Sequence, residues 1–115
     1  MGSRSAVELL QLPVRLRGIR LGQPVDLLLD EPASRAVGFV VLCGDETERF
    51  LAFAAADLAE DEIAVDSALL LLEDVDFYRD RAGSLRALLG TPLNGERVRD
   101  LLLEPDGTVA DVVAA

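Results

Sequence analysis

The sequence predicts a mainly β fold, a small β-barrel with one or two short helices and a partial internal repeat. Two observations carry that expectation. The first is duplication: Val25, Asp26, Leu27, Leu28, Leu29, Asp30 lead through a Pro32 turn to Val37, Gly38, Phe39, Val40, Val41, and Arg99, Asp100, Leu101, Leu102, Leu103, Glu104 lead through a Pro105, Asp106, Gly107 turn to Val109, Ala110, Asp111, Val112, Val113. A strand, turn, strand unit written twice is the mark of pseudo-symmetric β architecture. The second is size and composition: 115 residues, 50% apolar but only 4% aromatic, suit one aliphatic core with Phe39, Phe50, Phe53, Phe77 and Tyr78 as its large pieces. A chain of this length buries about two thirds of its unfolded surface without a metal or disulfide staple.

Residues 1–6 are expected to be a disordered N-terminus or cloning remnant, 7–90 the barrel domain, and 91–115 a truncated second copy, a hairpin completing or swapping into the barrel. Over residues 7–17 the alternation of Leu12, Val14 and Leu16, with Pro13 interposed, favours a strand over a helix. Gly18 and Gly22 bracket a turn or bulge before a strand at 23–30. Strand parity puts Val25, Leu27 and Leu29 on one face and Asp26, Leu28 and Asp30 on the other. In the second copy Leu101 and Leu103 point inward, with Asp100, Leu102 and Glu104 outward. Leu28 and Leu102 are thus apolar residues between outward carboxylates, and something should cover them.

Residues 36–43 are apolar on both faces and read as a central strand, followed by a polar hairpin at 44–47 and a returning strand at 49–54. Asp57 is placed to cap a helical turn through Ala59, and Glu60, Asp61, Glu62 read as a solvated connection. Residues 63–72 give a short strand, a break at Asp66 and Ser67, and a run of four leucines. Acids at the start of 74–81, Arg near its end and Gly83 beyond it predict a short helix, expected to plug a barrel end. Ser84 can cap a second helical turn carrying Leu85, Leu88 and Leu89.

This organisation resembles the PRC-barrel domains, found in the cytoplasmic part of the photosynthetic reaction centre H subunit and at the C-terminus of a ribosome maturation factor. The resemblance lies in residues 18–30, in Val37, Gly38, Phe39, Val40, Val41, in Arg49, Phe50, Leu51, in 63–72, and in Phe77, Tyr78, Arg79 with Ser84, Leu85. It covers roughly residues 7–89, and the second copy looks like a truncated repeat of the family's first two strands. The resemblance implies a small closed barrel used as an adaptor or assembly module, with no shared catalytic residues. A fold of this kind does not itself transfer a function.

The chain carries 21 acids against 11 bases, all of them Arg, for a formal charge of −10, and no His. That field opposes phosphate backbones and anionic lipid, so neither nucleic-acid binding nor direct membrane insertion is expected. No segment has the apolar length of a membrane span. Cys43, the one cysteine, suits a reducing, cytoplasmic setting and reads as an inert buried thiol. Without His or Lys, nucleophilic catalysis by Ser or Cys has no ordinary base, and zinc or haem sites have no ligand set. No cofactor is expected, and the chain reads as a non-enzyme.

Paired carboxylates are the remaining acid and base set, and Asp26 and Asp100, being repeat-related, could face each other; solvated carboxylates beside a turn are the plainer reading. Arg15, Arg17 and Arg20 form a local basic cluster, read as solubility rather than an anion site. Asp45, Glu46, Asp61 and Glu62 are the candidates for a sensor that binds a small ligand or divalent cation, though neither acidic stretch has EF-hand spacing. The leading expectation is an interaction or adaptor module that associates as a homodimer or with a protein partner through Leu28, Leu102, Leu70, Leu72 and Tyr78. The competing reading is that the short helices and second-copy hairpin simply cover those leucines.

Overall fold

Strands dominate the chain, which a computed structural model describes over residues 2–30, 33–93 and 95–114. In order they are β1 (Arg4–Ser5), β2 (Val14–Leu16), β3 (Ile19–Leu29), β4 (Ala36–Cys43), β5 (Glu48–Ala52), β6 (Asp57–Leu58), β7 (Ile63–Ala64), β8 (Leu71–Leu72), β9 (Gly83–Ser84), β10 (Pro92–Leu93), β11 (Glu96–Leu103) and β12 (Val109–Ala114). Three short helices intervene: α1 (Ala6–Leu9), α2 (Val75–Arg79) and α3 (Leu85–Leu88), with 3-10 turns at Phe53–Ala55 and Ala68–Leu70. The larger sheet runs β6-β7-β2-β3-β4-β5-β8, with β9 also on β3; in the smaller, β11 pairs with β1, β10 and β12. The mainly β expectation holds, but the strand ladders of the described residues do not close into a barrel.

The duplication extends to the register. In β3 a bulge between Pro24 and Asp26 leaves Val25 as the extra residue; in β11 the same irregularity lies between Val98 and Asp100, with Arg99 extra. A second bulge puts Val37 out of register in β4 and Ala110 out of register in β12. The two hairpins meet at a bridge between Arg35 and Thr108, where Ala36 N–H donates to the Gly107 carbonyl (2.8 Å) and Val109 N–H to the Ser34 carbonyl (2.9 Å). Those reciprocal bonds join equivalent residues, the pattern of a pseudo-twofold relation. The Pro32 turn lies outside the described residues, as does Met1.

The core between the sheets takes Leu27 and Leu29 from the first copy and Leu101 and Leu103 from the second, all at most 1% exposed, with Phe39, Val41, Leu51 and Ile63. Full burial of one such side chain is worth about 1.5–3 kcal/mol. Phe39 and Phe53 stack with centroids 5.7 Å apart. A separate cluster forms on the outer face of β3 and β4, where Leu28, Val40, Phe50 and Val75 are buried and Val25, Val37 and Tyr78 pack against them. Val25 belongs here and not with Leu27 and Leu29, as parity alone predicts, because the bulge inserts one residue and turns it outward.

Several expectations are corrected. Residues 7–17 are not one strand: a helical turn, α1, precedes β2, because Ser5 accepts the Glu8 N–H (3.2 Å) and Ala6 and Leu9 bury their side chains. Arg4 and Ser5, set aside with the N-terminus, pair with Leu103 and Leu102. The turn falls at Arg17 and Gly18, both at positive φ (48° and 84°), while Gly22 lies inside β3 opposite Cys43. Asp57 begins a two-residue strand and caps no helix. Helix α2 plugs no barrel end; it lies over the outer face of β5, where Tyr78 stacks on Phe50 at 3.8 Å. Phe77 stays 45% exposed, with the Arg81 guanidinium 3.7 Å over its ring.

The outer cluster depends on Gly38. A Cβ there would strike the Leu51 carbonyl and come within 2.5 Å of the Phe50 ring. Gly38→Ala is expected to destabilise the fold by about 1–3 kcal/mol, the usual cost of overpacking, read as a lower urea midpoint with unchanged slope; an unshifted midpoint would show that the Phe50 ring does not lie there.

Candidate functional site

Two aspartates expected to sit in solvent are instead bound into the structure. The Asp100 carboxylate accepts the Ser5 hydroxyl and the Val7 N–H (3.0 Å), and the Asp26 carboxylate accepts the Ser84 hydroxyl and the Arg86 N–H (3.1 Å). Each also takes the N–H of the residue after it, Leu101 at 2.7 Å and Leu27 at 2.8 Å. The serines do double service, since Ser5 Oγ accepts from Glu8 N–H and Ser84 Oγ from Ala87 N–H (3.3 Å), capping α1 and α3. Ser84 opens the second copy and holds the first copy's aspartate; Ser5 opens the first copy and holds the second's. The bulges at Val25 and Arg99 turn these aspartates toward the helical turns.

That arrangement extends the repeat backward beyond its evident strands. Ser5, Leu9, Leu10 and Pro13 match Ser84, Leu88, Leu89 and Pro92. Ser84 was legible as a cap. Ser5 also carried a signal, a Ser followed three residues on by Glu8, the spacing of a capping box before an apolar run. With three donors each, Asp26 and Asp100 act as acceptors that fix geometry, not as a free pair of carboxylates facing one substrate.

The expected contact residues differ in exposure and in the layer they join. Leu28 is 1% exposed beneath the Phe50, Val75 and Tyr78 layer, Tyr78 is half-buried in that layer, and Leu70 is half-buried against the main core. Leu72 is 38% exposed at the β5 edge, and Leu102 is half-buried on the smaller sheet. The largest exposed apolar residue of the leucine run is Leu69, at 86%.

The acidic and basic clusters are largely occupied by local partners. Asp45 accepts the Thr47 hydroxyl (2.6 Å) and N–H (3.1 Å) and lies 3.6 Å from Arg49; Glu62 pairs with Arg15 at 3.4 Å; Arg20 donates to Gln23 (2.9 Å). Glu46 and Asp61 remain exposed. Among the described residues no group of three or more His, Cys, Asp or Glu side chains is placed to hold a metal ion. Burial pushes the half-buried Cys43 thiol above its ordinary pKa, against the opposing pull of Arg49.

Among the described residues, one strand edge left without a partner is that of β12. In the first copy β4 is flanked on both sides, by β3 and β5; its counterpart β12 pairs along one side only, with β11, among the described residues. Val98, Val109, Val112 and Ala114, with Glu96, Arg97, Ala110 and Asp111, line an open groove of about 360 Å³ on the β11–β12 hairpin. Val112 is 36% exposed there, whereas its counterpart Phe39 is fully buried. No protein-family model matches the chain, and no curated protein matches it. No helix of the described residues is long and apolar enough to cross a membrane.

Two predictions follow from these groups. In double-mutant cycles Ser5→Ala and Asp100→Ala should couple by about 0.5–3 kcal/mol, as should Ser84→Ala with Asp26→Ala, while Ser5→Ala and Asp26→Ala should be additive; coupling in the last pair would mean that the turns are not exchanged. Thr47, first through its hydroxyl, and Thr108, first through its N–H, hold Asp45 and Asp106 below the usual carboxylate range. Their folded pKa values lie below the unfolded ones, so this stabilisation is present above the unfolded value and is lost as pH falls through the folded one. Urea titrations of Thr47→Val should show a deficit at neutral pH that shrinks in acid; a deficit independent of pH would contradict the linkage.

Proposed function

We propose that this chain is a non-enzymatic interaction module of PRC-barrel type whose working element is a strand-accepting edge. The single observation that carries this reading is β12, which among the described residues is unpaired along the side that β5 occupies on the equivalent strand β4. An edge strand normally protects itself with charge, proline or cover. Over residues 109–114 β12 has one charged residue, Asp111, and no proline. Its backbone groups would gain hydrogen bonds from an added strand, and its inward side chains would gain burial, the two terms that support strand addition as a recognition mode. The resemblance to adaptor domains points the same way, and so does the engagement of Asp26 and Asp100 in capping. A second copy of the chain or a strand of another protein would each satisfy the edge.

Selection from a random peptide library is the direct test. Enriched sequences should be extended, with alternating apolar residues; their binding should be lost in Val112→Glu, and they should slow amide hydrogen exchange in β12 and not in β5. A chain that enriches no peptide and stays monomeric at all concentrations would remove the reading.

A further inference from the structure

We propose that the tip of the β2–β3 hairpin receives an acidic segment of another protein, which sets carboxylates against Arg17 and Arg20 and an apolar side chain against Ile19. This goes beyond the β12 reading and does not depend on it. Residues 9–25 carry three arginines, Arg15, Arg17 and Arg20, and no acid, in a chain whose net charge is −10. At physiological salt charges are screened over about 8 Å, so the tip shows a partner its own sign rather than that of the whole chain.

The tip stands clear of the sheet it belongs to. Among the described residues β7 pairs with β2 no further than Arg15, and β4 reaches β3 no further than Leu21, whose carbonyl accepts the Gly44 N–H (3.2 Å). Beyond those points the hairpin pairs only with itself, with Leu16 opposite Ile19.

Three features of the tip work against stability. Arg17 takes φ 48° at the first position of a two-residue turn, a left-handed conformation that suits Asn, Asp or Gly. Arg15 and Arg20 stand directly opposite each other, and like charges in that register repel. Ile19 is 67% exposed, so most of its apolar surface lies in water. A turn serving the fold alone would carry Asn before Gly18 and polar or oppositely charged residues on its strands. Local rules broken together at one exposed point are the mark of a site shaped by binding.

Two of the three guanidinium groups have no acid beside them. Arg15 is paired with Glu62 (3.4 Å), but Arg20 donates to the neutral side chain of Gln23 (2.9 Å). Among the described residues no carboxylate lies within ion-pair distance of Arg17 or Arg20. A guanidinium takes a carboxylate through two parallel N–H donors. Ile19 and Arg20, as successive strand residues, point to opposite faces of the hairpin, with Arg17 at the turn, so the incoming segment crosses the tip rather than lying along one face. A short segment can reach this tip alone. A nucleic-acid duplex or an anionic bilayer would bring further phosphates against the acidic remainder of the chain.

The test uses the full chain, isotope-labelled for NMR, and a short peptide that alternates Glu and Leu. At physiological salt the peptide should shift the amides of residues 15–21 and leave those of β12 unmoved. Arg17→Asn and Arg20→Gln should each weaken binding about fivefold, the upper end for an exposed ion pair. Arg17→Asn should at the same time raise the urea midpoint, so that its lost binding cannot come from a lost fold. An Arg17→Asn chain that keeps full affinity or loses stability, shifts scattered over the chain, or no shifts at millimolar peptide all overturn the proposal. Equal binding of a Glu and Ser peptide reduces the tip to a bare anion site, and the same shifts from inorganic phosphate or vesicles of anionic lipid assign it to phosphate groups; each overturns the acidic segment. Tip shifts that grow with protein concentration alone assign it to a second copy and overturn it too.

Discussion

Everything in this chain hangs on the exchange of two capped turns. A serine at the start of each copy donates its hydroxyl to an aspartate on the central strand of the other, across 95 residues for Ser5 and Asp100 and 58 for Ser84 and Asp26. Long loops cost only logarithmically more to close than short ones, so a tie at that separation is entropically tolerable once the strands beside it are paired. Backbone pairing reinforces each tie: Ser5 lies opposite Leu102 and Ser84 opposite Leu28. Remove the exchange and α1 loses both its cap and its floor, while β11 loses β1. The two hairpins then touch chiefly through the Arg35 to Thr108 bridge and the aliphatic core.

Two copies built to the same register have been finished differently. The first is covered outside by β5 and α2, which turn Leu28 and Val40 into a buried second cluster and seat Phe50 between Gly38 and Tyr78. The second has the same strand, both bulges and the same capped aspartate, but among the described residues neither cover. Gly38 and Asp111 register that difference chemically. A glycine is required where an aromatic ring must lie flat on a sheet; an aspartate suits a face left in water.

How much of this could be read from the residues depends on the range of the interaction involved. The β4 strand at Ala36–Cys43 and the α3 turn behind Ser84 were legible because apolar runs and caps are local signals. The inward leucines Leu27, Leu29, Leu101 and Leu103 followed from parity, but Val25 did not, since a bulge is set by pairing with Val40 and Val41 and leaves little mark on its own strand. The same holds for α1. Leu12, Val14 and Leu16 alternate like a strand, and the helical turn ahead of them forms because Asp100, far along the chain, accepts from Ser5 and Val7. Asp26 and Asp100 looked solvated for that reason: two of the three donors to each are supplied by the opposite copy.

The consequence for function is one of placement. Symmetry within a chain usually hides its own joints, since each copy caps the other, and the exchanged serines do so here at one end of each hairpin. At the other end the two copies meet around the bridge between Arg35 and Thr108, and β12 runs on beyond that point, its outer edge unpaired among the described residues. Asp26 and Asp100 are engaged in capping, whereas β12, unpaired along one side among the described residues, offers backbone hydrogen bonds to a strand laid beside it.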